Sequence, residues 1–248
     1  LLGIAAVVVV LGGCAAAAVS ISKKDLDVQT KTSTAIFVDP VPRPQRTVFL
    51  DIRSGVQEFD RRAFSTFVKQ QFAQNDNGYQ IIDDPDQAHF VLLVYVLNLE
   101  KASPTAAESA LAQGYSSGGD IAAGAAAGAV IGSNRNGYGA YRGAAIGGLA
   151  AGAASLIADN AVKDVTYMLV CDVSVREKAA KGVIVRKDTA INAKVSDAGT
   201  SRQTVSEATD RKEYRTRIVT TANKVNLDLN EALNPMFSKT AFAMSGFF

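Results

Sequence analysis

Residues 120 to 159 read DIAAGAAAGAVIGSNRNGYGAYRGAAIGGLAAGAASLIAD. Two apolar Ala/Gly runs stand here around a short polar turn, in an otherwise mixed sequence. A flexible linker would be polar and Gly/Ser-rich. This one carries Ile121, Val130, Ile131, Ile146, Leu149, Leu156 and Ile157 instead. A phosphate-cradling loop fits no better. Gly137, Gly139 and Gly143 depart from G-x-G-x-x-G by one residue, no apolar strand precedes them, and no G-x-x-x-x-G-K-[ST] is present. A pair of helices fits the spacing. Gly124, Gly128 and Gly132 recur at four-residue intervals, as do Gly143 with Gly147 and Gly148 with Gly152. Residues four apart share a helix face, so each run offers a flat strip for close backbone approach.

Each glycine costs a helix up to about 1 kcal/mol relative to alanine, so tight packing, between subunits or within the hairpin, has to offset them. The turn Ser133-Asn134-Arg135-Asn136-Gly137 is rich in turn formers and puts Arg135, Tyr138, Tyr141 and Arg142 at or near the tip as candidate contact residues. At 1.5 Å per residue the runs 121 to 132 and 143 to 158 are about 18 and 24 Å long, which suits a thin membrane. The expectation is a membrane-inserting hairpin. A soluble hairpin buried within the domain or oligomer is the plainer rival.

The N-terminus supplies a membrane. Residues 1 to 13, LLGIAAVVVVLGG, are expected to be the remnant of a lipoprotein signal peptide, because the apolar run is too short to span. Leu11-Gly12-Gly13-Cys14 matches the bacterial lipobox, which makes Cys14 the expected site of acyl and diacylglycerol attachment. Multiple acyl chains at about 0.8 kcal/mol per buried methylene anchor permanently. Ala15, rather than Asp, after the cysteine favours the outer membrane of a Gram-negative cell. With Cys14 lipidated, Cys171 has no partner for an internal disulfide.

The flanks of the hairpin read as one α+β unit, a mixed α/β globular domain split in two. Its first part is 14–115, the hairpin occupies 116–159, and the second part is 160–248. Residues 47 to 53 alternate like a strand, and Phe64, Phe67, Val68 and Phe72 fall at helical spacing over 59 to 73. Asn77-Gly78 marks a turn, and HFVLLVYVL (89 to 97) predicts a strand buried on both faces. Pro40, Pro42 and Pro44 mark a connector. Between Val165 and Val175 apolar and polar residues alternate with period two, and 183 to 220 predict further strands. Asn234-Pro235 predicts the start of a C-terminal helix.

A net charge of +2 without a Lys/Arg block gives no footprint for nucleic acid. One His and two Cys are too few for a four-ligand zinc site, so no metal and no catalytic residue is assigned. His89 reads as structural, Cys171 as a small buried hydrophobe, and Asp83, Asp84 and Asp86 around Pro85 as a solvated turn.

The mature chain resembles the TraT family of outer-membrane lipoproteins. The likeness runs through LDVQTKTSTAIFVDP, RTVFLDI, GYQIIDDPDQA, the hairpin, DVTYMLVCDVSVRE and YRTRIVTTANKVNL, and is most specific in ANKVNL, shortly after Tyr214 and Arg217. The chain departs from the family at residues 40 to 44, at Cys171 and in the tail after Leu229. The resemblance implies a lipid-anchored, ring-like homo-oligomer whose glycine-rich hairpins form the membrane part. It also implies a non-enzymatic role in surface exclusion and complement resistance, with outer-membrane lipid, other copies of itself, and mating-apparatus or pilus components of another cell as partners. A structural or pore-forming lipoprotein unconnected with conjugation is the alternative; the apolar runs carry no charge that would line a wide aqueous lumen.

Overall fold

A computed structural model describes residues 23–115, 164–195 and 199–248. The strands are β1 (Asp27–Thr32), β2 (Thr47–Ser54), β3 (Gln80–Ile82), β4 (Phe90–Lys101), β5 (Asp164–Lys178), β6 (Val185–Val195), β7 (Gly199–Thr209) and β8 (Arg211–Val225); the helices are α1 (Arg61–Gln74), α2 (Pro104–Gln113) and α3 (Leu229–Ser245). Six strands form a mixed sheet in the order β1-β8-β5-β4-β2-β3. The β1, β8, β5 and β4 neighbours are antiparallel, whereas β2 runs parallel to both β4 and β3. The α+β reading holds, and the two halves of the chain meet in this one sheet along β4 and β5.

Helices α1 and α3 cover one face. Asp60 caps α1 by accepting from the Arg62 and Ala63 N–H groups, and Phe64, Val68 and Phe72 then fall on its buried stripe. Phe237 of α3 meets Phe59, Phe64 and Phe67 at ring-centroid distances of 5.3, 5.0 and 5.9 Å. Beneath them lie Leu92, Val94, Leu169, Cys171, Val173 and Ile218, all essentially without exposure. Gly78 ends the connector after α1 at φ +70, a left-handed conformation suited to glycine, as the Asn-Gly pair predicted.

Two expectations and one omission need correction. The apolar run from 89 to 97 does become β4, but only Phe90, Leu92, Val94 and Val96 are fully buried; Val91, Leu93 and Tyr95 on the other face are half-buried. It is β5 that is buried on both faces. The cause is α2, whose Ala107 and Ala110 pack on Met168, Val170 and Val219 and so roof β5 and β8. Second, α2 itself has a clear signal in Ser103-Pro104, with the serine side chain accepting from the Ala106 N–H and proline at the first position; residue periodicity over so short an Ala-rich run did not separate it from its surroundings. Third, α3 begins at Leu229, capped by Asp228, so Pro235 lies inside the helix and not at its start. The missing N–H costs one helical bond; burial of Ala232, Met236 and Phe237 on either side holds the helix through it.

Among the described residues, strands β6 and β7 pair only with each other, in a ribbon in register from Val185↔Thr209 to Val195↔Gly199. The junctions with residues 116–163 lie far apart on the sheet. Tyr115 stacks under Arg215 at 5.1 Å, whereas Asp164 pairs with Val225. No helix among the described residues is long and apolar enough to cross a membrane; the glycine-rich hairpin predicted over 116–159 lies outside them.

Candidate functional site

Cys14, the glycines at 124, 128, 132, 143, 147, 148 and 152, and the tip residues Arg135, Tyr138, Tyr141 and Arg142 all lie outside the described residues. Of the other residues singled out by sequence, Cys171 is fully buried on the α1/α3 face, where burial raises its thiol pKa well above the ordinary range. Asp84 accepts from the Asp86 backbone N–H and from Gln87, which lowers its carboxyl, and Asp83 faces Lys69 at 3.6 Å across solvent. This is a hydrogen-bonded surface turn. His89 is half-buried against Phe90, and desolvation lowers its pKa.

Two junctions carry most of the polar organisation. The first joins the N-terminal lead and the segment after 163 to the sheet, and ANKVNL builds it. The Asn223 amide donates to the Asp164 carboxylate, to the Val165 carbonyl and to Thr166, while Val225 N–H donates to the Lys23 carbonyl. Lys23 is itself ion-paired with Asp164. Asn226 turns the chain at φ 51, a left-handed conformation that asparagine tolerates, and Leu227 returns it to the core. The most specific stretch of the family resemblance is therefore the clasp that fixes both leads.

The second lies at the other end, where β5 finishes and β8 begins. On the roofed face Arg217 forms a bidentate pair with Asp172 (2.7 and 3.0 Å), both nearly inaccessible, and reaches the Ala110 carbonyl of α2 at 3.2 Å. This ties the roof helix to the sheet. Nearby, Glu213 gathers Ser174 (2.7 Å), Arg215 (2.9 Å) and Lys187 of the ribbon (2.6 Å). Burial pushes the Glu213 carboxyl up, but the hydrogen bonds from Arg215, Lys187 and Ser174 together outweigh it and hold the group at about 2. On the opposite face Tyr214 donates to the buried Glu177 at 3.0 Å, and Lys212 bridges Asp39 at 2.6 Å. Between these groups opens a cleft of about 710 Å³, lined among others by Pro40, Pro42, His89, Lys178 and Val183.

Sequence reading singled out Tyr214 and Arg217 but not their acids. Nor did it reach Glu213, because an acid on β8 and a serine on β5 become neighbours only once the strand register is known. What this end of the molecule can do chemically is hold fixed charge. Its acids are tied to cations at short range, and no group of three or more metal-ligating side chains occurs among the described residues.

Comparison with known proteins follows the same span. Residues 25–248 match the family model described as Enterobacterial TraT complement resistance protein. A TraT complement resistance protein of Escherichia coli is 35% identical over 227 residues, covering 91% of this chain and 87% of that protein. A second, from Escherichia coli strain K12, is 32% identical over 224 residues, covering 90% and 86%. Among solved structures, a PelC dodecamer from Paraburkholderia phytofirmans aligns with 88% of this chain and 98% of its own at 7% identity, with a TM-score of 0.31. That likeness is too loose to carry any argument. The family match spans both halves of the sheet, and the chain belongs to the TraT complement resistance protein family.

Proposed function

We propose that this protein is a non-enzymatic barrier of the outer-membrane surface, anchored by lipid on Cys14. In this reading identical copies assemble into a ring through the glycine-rich hairpin. The ring impedes redundant mating-pair formation and lowers killing by complement. The observation that supports it is the extent of the family match: at 35% identity over 91% of the chain, the relatedness runs through both halves of the domain. The lipobox and the four-residue glycine spacing supply the anchor and the contact strip. The partners are other copies of the chain, outer-membrane lipid, and mating-apparatus or pilus components of an approaching cell. Arg135, Tyr138, Tyr141 and Arg142 are candidate contacts at the hairpin tip.

The test is expression of the full chain in a serum-sensitive Gram-negative recipient. Serum survival should rise and acceptance of a conjugative plasmid should fall. Cys14→Ser should abolish acyl labelling together with both effects, and Gly128→Leu or Gly147→Leu should reduce the size of the detergent-extracted particle. Unaltered survival and mating at full surface expression would remove the barrier reading.

A further inference from the structure

The longest open strand edges of the molecule belong to the β6–β7 ribbon. The main sheet ends in β1 and β3, of six and three residues, which offer a neighbour little. Strands β6 and β7 have eleven residues each, and their ladder shows no register shift. In such a pair every second residue turns its N–H and C=O outward. On both sides of the ribbon those groups meet no third strand among the described residues. Neither strand contains proline or a bulge, the usual means of blunting an edge, and Thr189, Ile191, Val195, Thr204 and Val205 favour extended backbone. The ribbon also stands apart from the sheet. Where the β5–β8 ladder gives way to it, Ala179 to Ile184 stand opposite Asp210 alone, and Lys187 on Glu213 at 2.6 Å holds its base. Beyond the base Glu207 and Ala208, which lie on opposite sides of the ribbon, are both exposed.

We infer that β6 of one copy pairs with β7 of the next, so that the ribbons close into a collar with two strands from each copy. A lone two-stranded ribbon is marginal in water, and a third and fourth strand would stabilise it. One added strand of any other kind leaves the opposite edge open. A second copy brings an edge of matching length, and a circle of copies uses both edges of every ribbon. Pairing β6 with β6 would stop at a dimer with both β7 edges unused, whereas pairing unlike edges generates a ring where the rotation closes. The sense of the new ladder follows from symmetry. Strands β6 and β7 are antiparallel within a copy, and rotation about a ring axis preserves their directions along it, so β6 runs antiparallel to the neighbouring β7 as well. Closure leaves no strand edge exposed. This contact rests on the reading that copies assemble into a ring, and adds to the glycine strip a second interface in the globular part.

The experiment uses the full chain purified in mild detergent, with particle mass measured on the same sample. Residue-resolved amide exchange by mass spectrometry reads the ladder directly. In a collar, successive amides of β6 and β7 should exchange at similar rates. In a two-stranded ribbon every second amide should exchange about tenfold faster, the worth of one hydrogen bond. Cross-linking identifies the partner. Copies carrying Asp188→Cys are co-expressed with copies carrying Thr204→Cys, Ser206→Cys or Ala208→Cys, all on one side of the ribbon, and treated with a short bismaleimide. Cys171 is buried and does not compete. Linked dimers should form from the mixture and not from either variant alone. An alternating exchange pattern in a particle of many copies would overturn the collar and leave the ring standing. So would absence of mixed dimers at all three β7 positions, or dimers from Asp188→Cys alone as abundant as from the mixture. A particle with the mass of one chain would remove the ring reading itself, and the collar with it.

Discussion

Asp172 and Arg217 show how much one buried pair can decide. Charges desolvated to this degree are held by each other, with the α2 carbonyl and Gln113 also on Arg217, so removing one leaves the other without its counter-charge. Arg217→Ala should destabilise the domain by about 3–5 kcal/mol in urea denaturation, whereas the apolar pair Asp172→Leu with Arg217→Met should lie near the parent. Glu213 gives a pH signature. Its folded pKa of about 2 lies below the unfolded carboxylate value, so its contribution to stability is complete above the unfolded pKa and is lost as pH falls toward 2. Thermal melts between pH 5 and 2 should therefore fall less steeply for Glu213→Gln than for the parent, and parallel curves would contradict the hub. Neither residue was legible from sequence as a pair, since both depend on β5–β8 register; Cys171, by contrast, was legible from alternation alone.

At the scale of elements, periodicity served where one face of an element is buried. Helix α1 and strand β2 follow their patterns closely, because Phe64, Val68 and Phe72 mark a single stripe and Val48 a single face. It failed where burial is set by a third element. Strand β5 alternates apolar with polar residues yet is buried without a break from Tyr167 to Val175, since its polar members Asp172 and Ser174 are hydrogen-bonded beneath α2 and beside β8. Pro235 misled for a related reason: a proline is an expected helix start, but the core stripe of α3 begins earlier. The cap at Asp228 is therefore worth testing. Asp228→Ala should cost about 1 kcal/mol, with loss of helix signal confined to the C-terminus. The ribbon β6–β7 is a different case. An isolated two-stranded ribbon is marginal in water, and the Lys187–Glu213 contact is one tether to the sheet. Lys187→Ala should speed amide exchange in β6 and β7 while leaving β5 and β8 protected.

For the whole molecule, the placement of Tyr115 and Asp164 has a practical consequence for cutting the protein down. The two residues bracket positions 215 and 225 of β8, ten residues apart along one strand. At about 3.3 Å per residue the gap is roughly 33 Å. A version lacking residues 116–163 cannot be closed with the short glycine bridge that would suit a local loop. It needs about ten extended residues to run the length of the α2 roof. With a bridge of that length, the sheet should fold as a water-soluble unit and give a cooperative melt. With four or five residues the splice should pull α2 off the sheet and expose the Arg217 pair. A graded series of bridge lengths would therefore act as a ruler, reading the span of the roof from the length at which folding returns.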